Sequence, residues 1–393
     1  MRTLLVTGPG GSGRTTVAAA TALAAARAGH RTLVISADRA DTLDTALGTA
    51  LGAPDAHPGL TAHRPDADDR FRDDLLALQE RAASALDLLG AERLDGEELT
   101  PLPGAEELAL LRALRDAARD DAYDTVVVDL PPTAKALATL ALPEQLRRYL
   151  RRLLPPERQA ARALRPMLGR LAGVPMPAAW LYETAARRED DLAAVQRVIE
   201  APTTTVRLVA EPGPAGADAV RTAATGLALH GLRTDLLVAN RVLPDATSDT
   251  WLAGLCAQQH KTLTEWESAY DHVARVRHLG RDPRGADDLA ALGLTAPAPG
   301  TPDTEPWPVT DATADDGGRG RVYLWHIPLP GVARDELGLI RRGDELVVTA
   351  GPFRRIVPLP SALRRCTVAG AGLHEGELRV RFTPDPDLWP SGR

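Results

Sequence analysis

The chain has 393 residues with 44% hydrophobic content, which predicts two or three domains with a substantial core. Its net charge of −7 argues against a general basic surface for nucleic acid, and no apolar run approaches the roughly 18 residues that stable membrane insertion requires. The two cysteines, Cys256 and Cys366, lie far apart and predict neither a disulfide framework nor a zinc site. We therefore expect a cytoplasmic protein.

The first turn of the chain has the pattern of a phosphate-binding loop. It follows an apolar strand at 4–6 and precedes an alanine-rich helix predicted over 17–28. The spacing is that of G-x-x-x-x-G-K-[ST], in which backbone N–H groups surround a polyphosphate and the hydroxyl ligates Mg²⁺. The residues predicted to bind nucleotide here are Gly8, Gly10, Gly11, Ser12, Gly13, Arg14, Thr15 and Thr16. An ordinary tight turn is the alternative, but this order of residues after a strand favours a nucleotide site.

Two aspartates follow short hydrophobic strands. The strand predicted over 31–36 leads to Asp38, at the edge where open α/β sheets place their ligands. The strand over 123–129 ends in Asp129, as in a Walker B element whose carboxylate holds Mg²⁺ through water. A buried strand that happens to end in aspartate is the alternative, and the preceding phosphate loop favours the metal role. The alternation of strands and helices predicts a doubly wound, mostly parallel α/β sheet.

The intervening segments are predicted to be helical or irregular. Residues 53–70 lack apolar periodicity and are predicted to form a loop. Leucines at helical spacing predict helices over 72–89 and 105–119. The segment after the strand predicted over 123–129 leads into a helix that we expect to break at Leu142 and Pro143.

Together these motifs resemble the arsenite-pump (ArsA) family of ATPases, whose eukaryotic relatives target tail-anchored membrane proteins. The family loop reads G-K-G-G-V-G-K-T-[ST], its first switch D-P-A-H-[SN] and its second switch D-T-A-P-T-G-H-T. The family residues kept in this chain are Gly8, Gly10, Gly11, Gly13, Thr15, Asp38, Ala40, Asp129, Pro132, Thr133, Leu142 and Pro143. The resemblance implies ATP and Mg²⁺ as ligands, with Thr15 on the metal and Asp129 holding it through water. It also implies that Asp38 positions the attacking water, and the implied switch residues are Asp38, Asp129, Pro132 and Thr133.

The chain departs from the family at several charged positions. Pro9 stands where the family's signature lysine reaches across a dimer to the phosphates of the other subunit, and Arg14 stands where the loop lysine does. The guanidinium is bulky and forked rather than a compact point charge, so this exchange is not conservative. The other exchanges are Arg39 and Asp41 in the first switch, and Ala134 and Lys135 in the second. Without the two lysines, charge neutralisation at the γ-phosphate is weaker, and hydrolysis becomes an open question.

Residues 70–120 and 144–200 are predicted to contain a helical subdomain, the region in which the resembled family binds its client. The arginines on its second part are Arg147, Arg148, Arg151, Arg152, Arg158, Arg162 and Arg165. They predict either a solvated face or a contact with an acidic partner. Met167 and Met176 are the only methionines besides Met1, so an adaptable groove for transmembrane helices has little support.

Two more strands, predicted over 203–209 and 235–241, flank a helix over 217–230. The second strand ends in Asn240 and Arg241, which the resemblance implies are nucleotide-binding residues, with Asn240 at the adenine edge. The alternative for Asn240 is an ordinary turn position. A helix pattern follows over 251–292.

The last part of the chain changes character. Residues 296–320 are dense in Pro, Thr, Asp and Gly and predict a linker after an ATPase domain at 1–295. Short strands over 321–327, 344–349, 354–359 and 377–382 then predict an all-β sandwich at 321–385. Its Leu-Pro-Gly and Arg-Gly-Asp-Glu-Leu phrases resemble the α-crystallin-like (small heat-shock) domain of some ArsA-family members. Because no I-x-I tail follows, we do not expect large chaperone-type oligomers.

The sequence therefore predicts an ATP-binding, dimeric switch protein that couples nucleotide state to a client or partner protein. With one phosphate loop, a complete site of this family needs a second subunit, in a homodimer or in a heterodimer with a paralogue. The alternative is a non-catalytic pseudo-ATPase that pairs with an active paralogue, which Pro9 and Arg14 favour. A ParA/MinD-type partitioning ATPase would need a basic surface or a terminal membrane-binding helix, and 383–393 has neither. Arsenite is disfavoured, because two distant cysteines cannot form a three-thiolate site.

Overall fold

The computed structural model describes residues 1–36, 38, 42–50, 57–83, 86–87, 90–153, 179–244, 248–298, 307–313 and 321–388. The strands are β1 (Arg2–Thr7), β2 (Thr32–Ser36), β3 (Leu60–His63), β4 (Thr125–Asp129), β5 (Thr204–Ala210), β6 (Thr234–Val242), β7 (Val273–Arg277), β8 (Val309–Asp311), β9 (Tyr323–Pro328), β10 (Leu337–Arg342), β11 (Glu345–Ala350), β12 (Phe353–Pro358), β13 (Cys366–His374) and β14 (Glu377–Pro384). The α-helices are α1 (Arg14–Arg27), α2 (Thr42–Leu47), α3 (Ala67–Arg81), α4 (Ala105–Arg119), α5 (Thr133–Leu153), α6 (Ala179–Glu200), α7 (Pro214–Leu229), α8 (Thr250–Ala269) and α9 (Gly285–Ala291).

A seven-stranded parallel sheet in the order β3-β2-β4-β1-β5-β6-β7 forms the centre of the first part. Strand β1 is central, since its Leu5 pairs with Val128 of β4 and with Val206 of β5. Side chains alternate between the two faces of a strand. Leu4 and Val6 accordingly join a core with α1, α2 and α9, while Leu5 joins a core with α4, α5 and α6. The predicted doubly wound fold is confirmed.

The last part of the chain forms two antiparallel sheets, β10-β11-β12 and β13-β14-β9-β8. Their facing side chains make one buried core, which includes Trp325, Leu346 and Phe382. The predicted all-β fold is confirmed, although β10 and β13 were not predicted. Strand β8 lies within the 296–320 stretch that was predicted to be a linker, and its neighbour Trp307 is buried.

Three other expectations about local structure were wrong. Residues 53–70 contain strand β3, which is short and half polar and is stabilised by pairing with β2. The helix pattern over 251–292 is in fact α8, the edge strand β7 and α9. Helix α5 continues through Pro143, because Leu137, Leu140 and Pro143 bury one face of the helix and this packing outweighs the lost hydrogen bond.

The β sheets of the last part dock on helices α5 and α7. Glu345 accepts hydrogen bonds from Arg148 Nε and Nη2 at 2.8 and 2.9 Å and from Arg152 Nη2 at 2.8 Å. Arg355 donates to Glu144 Oε2 at 3.1 Å, and its guanidinium carbon lies 5.2 Å from the ring centroid of Trp307. Arg147 and Arg151 pair with Glu189 of α6, so all four of the predicted arginines in the described ranges contact an acid of this same chain.

Some predictions fall on residues outside the described ranges. They concern Arg39, Ala40, Asp41, Arg158, Arg162, Arg165, Met167 and Met176. Among the helices in the described ranges, none is long and apolar enough to cross a membrane.

Helix α7 packs tightly against α5 and β12 at Gly226. A Cβ atom there would lie 2.4 Å from Leu137 Cδ1 and 2.8 Å from the Phe353 ring. We expect Gly226→Ala to destabilise the protein by about 1–3 kcal/mol through overpacking, measured by urea unfolding. The matched control is Gly254→Ala in α8, where nothing lies within 4 Å of the new Cβ. Helix propensity should make this control more stable by up to about 1 kcal/mol, and equal effects of the two changes would contradict the prediction.

Candidate functional site

The loop between β1 and α1 depends on glycines at two positions. A Cβ on Gly8 would lie 1.9 Å from the carbonyl oxygen of Val209, so no side chain fits between the loop and β5. Gly13 has φ of 86°, and a Cβ there would lie 2.3 Å from Nδ2 of Asn240. The Ser12 hydroxyl closes the turn by donating to the Pro9 carbonyl at 2.9 Å. These contacts give the loop the compact form in which successive N–H groups can face an anion.

The predicted residues Asn240 and Arg241 both reach this loop. Asn240 is 6% exposed, and its Nδ2 donates to the Ser12 carbonyl at 2.7 Å. Arg241 has a positive φ of 56°, donates to the Gly11 carbonyl at 3.0 Å and pairs with Glu211. One amide hydrogen of Asn240 is therefore used to hold the loop, and its contact with an adenine edge stays a prediction.

Arg14, in the place of the family's loop lysine, contacts the segment that was predicted to be the second switch. Its Nη1 donates to the Leu130 carbonyl at 2.8 Å, directly after β4. Burial lowers the pKa of the Arg14 guanidinium, while the carboxylates of Asp129 and Asp38 oppose the shift. The backbone N–H of Thr133 also donates to the Gly8 carbonyl at 3.2 Å. The loop and the segment that holds Pro132 and Thr133 are thus joined by two hydrogen bonds.

Asp129 lies at the meeting point of three segments. Its Oδ2 accepts hydrogen bonds from the hydroxyls of Thr15 at 2.8 Å and Ser36 at 2.9 Å. The side chain is 3% exposed, and burial raises the pKa of the carboxyl to about 6, against the hydrogen bonds and Arg14. Ser36 was not predicted from the sequence, although parallel strands of equal register would place a hydroxyl at the end of β2 beside Asp129.

Thr15 and Asp129 fit a magnesium ion by their chemistry, because Mg²⁺ prefers oxygen ligands and keeps several waters or phosphate oxygens. In the described ranges no group of three His, Cys, Asp or Glu residues could hold a metal. A cation at Thr15 would therefore complete its coordination with oxygens of a nucleotide and of water.

Asp38 lies near Asp129, and both residues contact Ser36. Its Oδ2 accepts from the Thr42 hydroxyl at 3.0 Å, and its backbone N–H donates to Ser36 Oγ at 3.2 Å. Ser36 therefore links Asp38 to Asp129, and the two predicted acidic residues share one hydroxyl. Residues 39–41 of the predicted first switch lie outside the described ranges.

A pocket of about 580 Å³ opens above the loop, within the usual size range of small-molecule sites. It is lined by residues of the loop, of helix α2 and by Asp38. Asn240, Arg241 and the segment 277–284 between β7 and α9 complete the lining. Sequence reasoning did not predict this last segment, because it assigned β7 to a helix. The signal available was the alternating pattern Val-Ala-Arg-Val-Arg of residues 273–277.

Comparisons with known proteins agree with this architecture. A model of the ArsA family, described as anion-transporting ATPase, matches residues 1–295, and a model of the HSP20-like domain found in ArsA matches residues 320–382. A Streptomyces coelicolor protein is 69% identical over 100% of both chains, and a Mycobacterium tuberculosis protein is 34% identical over 99% of this chain and 98% of its own. The "Putative arsenical pump-driving ATPase 1" of Aquifex aeolicus is 25% identical over 97% of this chain and 99% of its own. The predicted resemblances of both parts of the chain are confirmed.

The raised pKa of Asp129 makes stability depend on pH. The folded state binds the Asp129 proton more tightly than the unfolded state does. The protonated carboxyl therefore stabilises the fold fully below the ordinary pKa of 3.8, and this contribution is lost as the pH rises through about 6. Asp129→Asn stays neutral, so without nucleotide or metal we expect its free energy of unfolding to gain about 2 kcal/mol relative to wild type between pH 4 and pH 7.5. Urea unfolding of both proteins at several pH values measures this change. Any pH-independent cost of the amide is the same at every pH and does not affect the change between two pH values. The exposed Asp287→Asn in α9 is the control, and a difference for Asp129→Asn that is constant with pH would refute the shift.

Proposed function

The chain belongs to the ArsA family of anion-transporting ATPases, and we propose that it is an ATP-binding switch protein that acts as a dimer. The observation that carries this proposal is the preserved binding frame, in which Gly8 and Gly13 hold the loop and Asp129 receives Thr15. The polyphosphate would lie on the N–H groups of 11–16 at the positive end of α1. Bound Mg²⁺ would neutralise phosphate charge and would be held by Thr15 directly and by Asp129 through water.

We propose that hydrolysis is slow. The Arg14 guanidinium is bound to the Leu130 carbonyl and lies near the carboxylates of Asp129 and Asp38. Its charge is therefore partly offset before any phosphate binds, and Pro9 supplies no charge at all. Asp38 would orient the attacking water, and its position beside Ser36 supports this role.

Helix α5 supports a coupling between nucleotide state and the rest of the molecule. Its first residue, Thr133, is bound to the Gly8 carbonyl of the loop. Its later residues Glu144, Arg148 and Arg152 bind Arg355 and Glu345 of the HSP20-like part. A displacement of the second switch would therefore move one rigid element that contacts both parts of the chain. We propose that a partner protein reads this displacement on the helical subdomain at 70–120 and 144–200.

The second candidate function is a pseudo-ATPase that binds nucleotide without turnover and pairs with an active paralogue. Pro9 and the engaged side chain of Arg14 favour it. In both readings the partner is a protein rather than arsenite, since Cys256 and Cys366 lie in different parts of the fold. The absence of a disulfide framework supports a cytoplasmic location.

Nucleotide binding is tested by calorimetric titration of the full chain with Mg-ATP beside a turnover assay. We expect wild type to bind and to turn over slowly, and Pro9→Lys with Arg14→Lys to raise turnover about tenfold or more, because both positions then face the phosphates with compact charges. Fast turnover by wild type would exclude the pseudo-ATPase. A double variant that binds but stays inert would show that other exchanges, not these two, limit hydrolysis.

The dimer is tested by sedimentation of the full chain with and without Mg-ATP. One loop per chain predicts that saturating nucleotide favours a species of twice the mass of one chain. A single-chain mass under these conditions would contradict a homodimer and would leave only pairing with a paralogue.

A further inference from the structure

The nucleotide pocket has a second basic side, in a chain whose net charge is −7. This side is the 277–284 segment, which begins at the end of β7, three strands from β1 in the sheet. The charged residues lining the pocket are Arg14, Arg241, Arg277, Arg281, Arg284, Asp38 and Asp282. Arginines therefore outnumber acids around this cavity, and a concave site lined by one sign of charge concentrates ligands of the opposite sign.

Three of these arginines already have partners. Arg14 donates to the Leu130 carbonyl, and Arg241 donates to the Gly11 carbonyl and pairs with Glu211. Arg281 pairs with Asp288 of α9.

For the side chains of Arg277 and Arg284, no ion pair or hydrogen bond is formed with any residue in the described ranges. These two guanidiniums are the charges that remain available to a ligand in the pocket.

The sheet order places Arg277 at the far end of the pocket from the loop. The loop follows β1 and Arg277 ends β7, with β5 and β6 between them. Three strand spacings correspond to about 14 Å. A nucleotide whose polyphosphate lies on the loop therefore directs its nucleoside toward β6 and β7. At that end ATP itself carries no negative charge.

We propose that this site binds a nucleotide with a phosphate on its ribose, in addition to its 5′-polyphosphate, more tightly than it binds the same nucleotide without the ribose phosphate. This inference rests on the proposed nucleotide-binding function. Arg277 and Arg284 bind the ribose phosphate, since forked guanidiniums form short, charge-assisted hydrogen bonds with phosphate oxygens. The loop and the 277–284 segment then hold the two charged ends of one molecule, which explains why both sides of the pocket are basic.

A different use of the two arginines is stacking on the face of the base. Stacking would strengthen the binding of nucleotides with and without a ribose phosphate to the same extent. A charge contact would strengthen the binding of only the nucleotide that carries the additional phosphate. The two uses are therefore distinguished by comparing such a pair of ligands.

The experiment is calorimetric titration of the full chain, with Mg²⁺, using ADP and its 2′- and 3′-phosphorylated forms. We expect wild type to bind one of the two phosphorylated forms about tenfold or more tightly than ADP. In Arg277→Gln with Arg284→Gln, this preference should fall to about one. Arg275→Gln is the matched control, because Arg275 lies on the same strand, pairs with Glu267 and does not line the pocket. Its preference should equal that of wild type, and thermal unfolding confirms that each variant is folded.

Equal affinities of wild type for ADP and for both phosphorylated forms would overturn this inference while leaving the proposed function intact. A preference that survives in the double variant would also overturn it. If no nucleotide binds at all, the proposed function fails as well.

Discussion

The proposed nucleotide site depends on one buried carboxylate. Asp129 accepts the hydroxyls of Thr15 from α1 and Ser36 from β2, while its own strand β4 lies between β2 and β1. Ionising a carboxyl in such surroundings is unfavourable, and the two hydroxyls and Arg14 compensate only in part. A divalent cation would supply the missing positive charge. The same carboxylate therefore ties three segments together and would be stabilised by a bound cation.

The charges around the pocket are distributed differently from those of the resembled family. The family sequence concentrates positive charge in two lysines of the loop, whereas this chain has Pro9 and an Arg14 that is bound to the second switch. Positive charge also lies on the 277–284 segment, at the end of the pocket away from the loop. The loop still provides backbone donors for a polyphosphate but lacks the two compact lysine charges. This combination is compatible with binding and is unfavourable for rapid phosphoryl transfer.

Local, strongly patterned elements were predictable from the sequence. The loop between β1 and α1, the aspartate after β4 and the helix over 105–119 follow from glycine spacing and apolar periodicity. Strand β3 was missed, because its half-polar sequence becomes a strand only through pairing with β2. The contact of Ser36 with Asp129 and the basic side at 277–284 arise from strands that are distant in sequence and adjacent in the sheet. At Pro143 the sequence predicted a helix break that does not occur, because packing of the surrounding helix outweighs the local preference of proline.

The central position of β1 has a consequence for the order of events during synthesis. The first strand made is also the middle strand of the sheet, and its two neighbours are β4 and β5. Gly8 packs on Val209, and the loop is held by Asn240. The loop between β1 and α1 therefore leaves the ribosome first but cannot take its final form until more than half of the chain has been made. Such non-local pairing slows folding and leaves the apolar strand β1 exposed until its partners have been made.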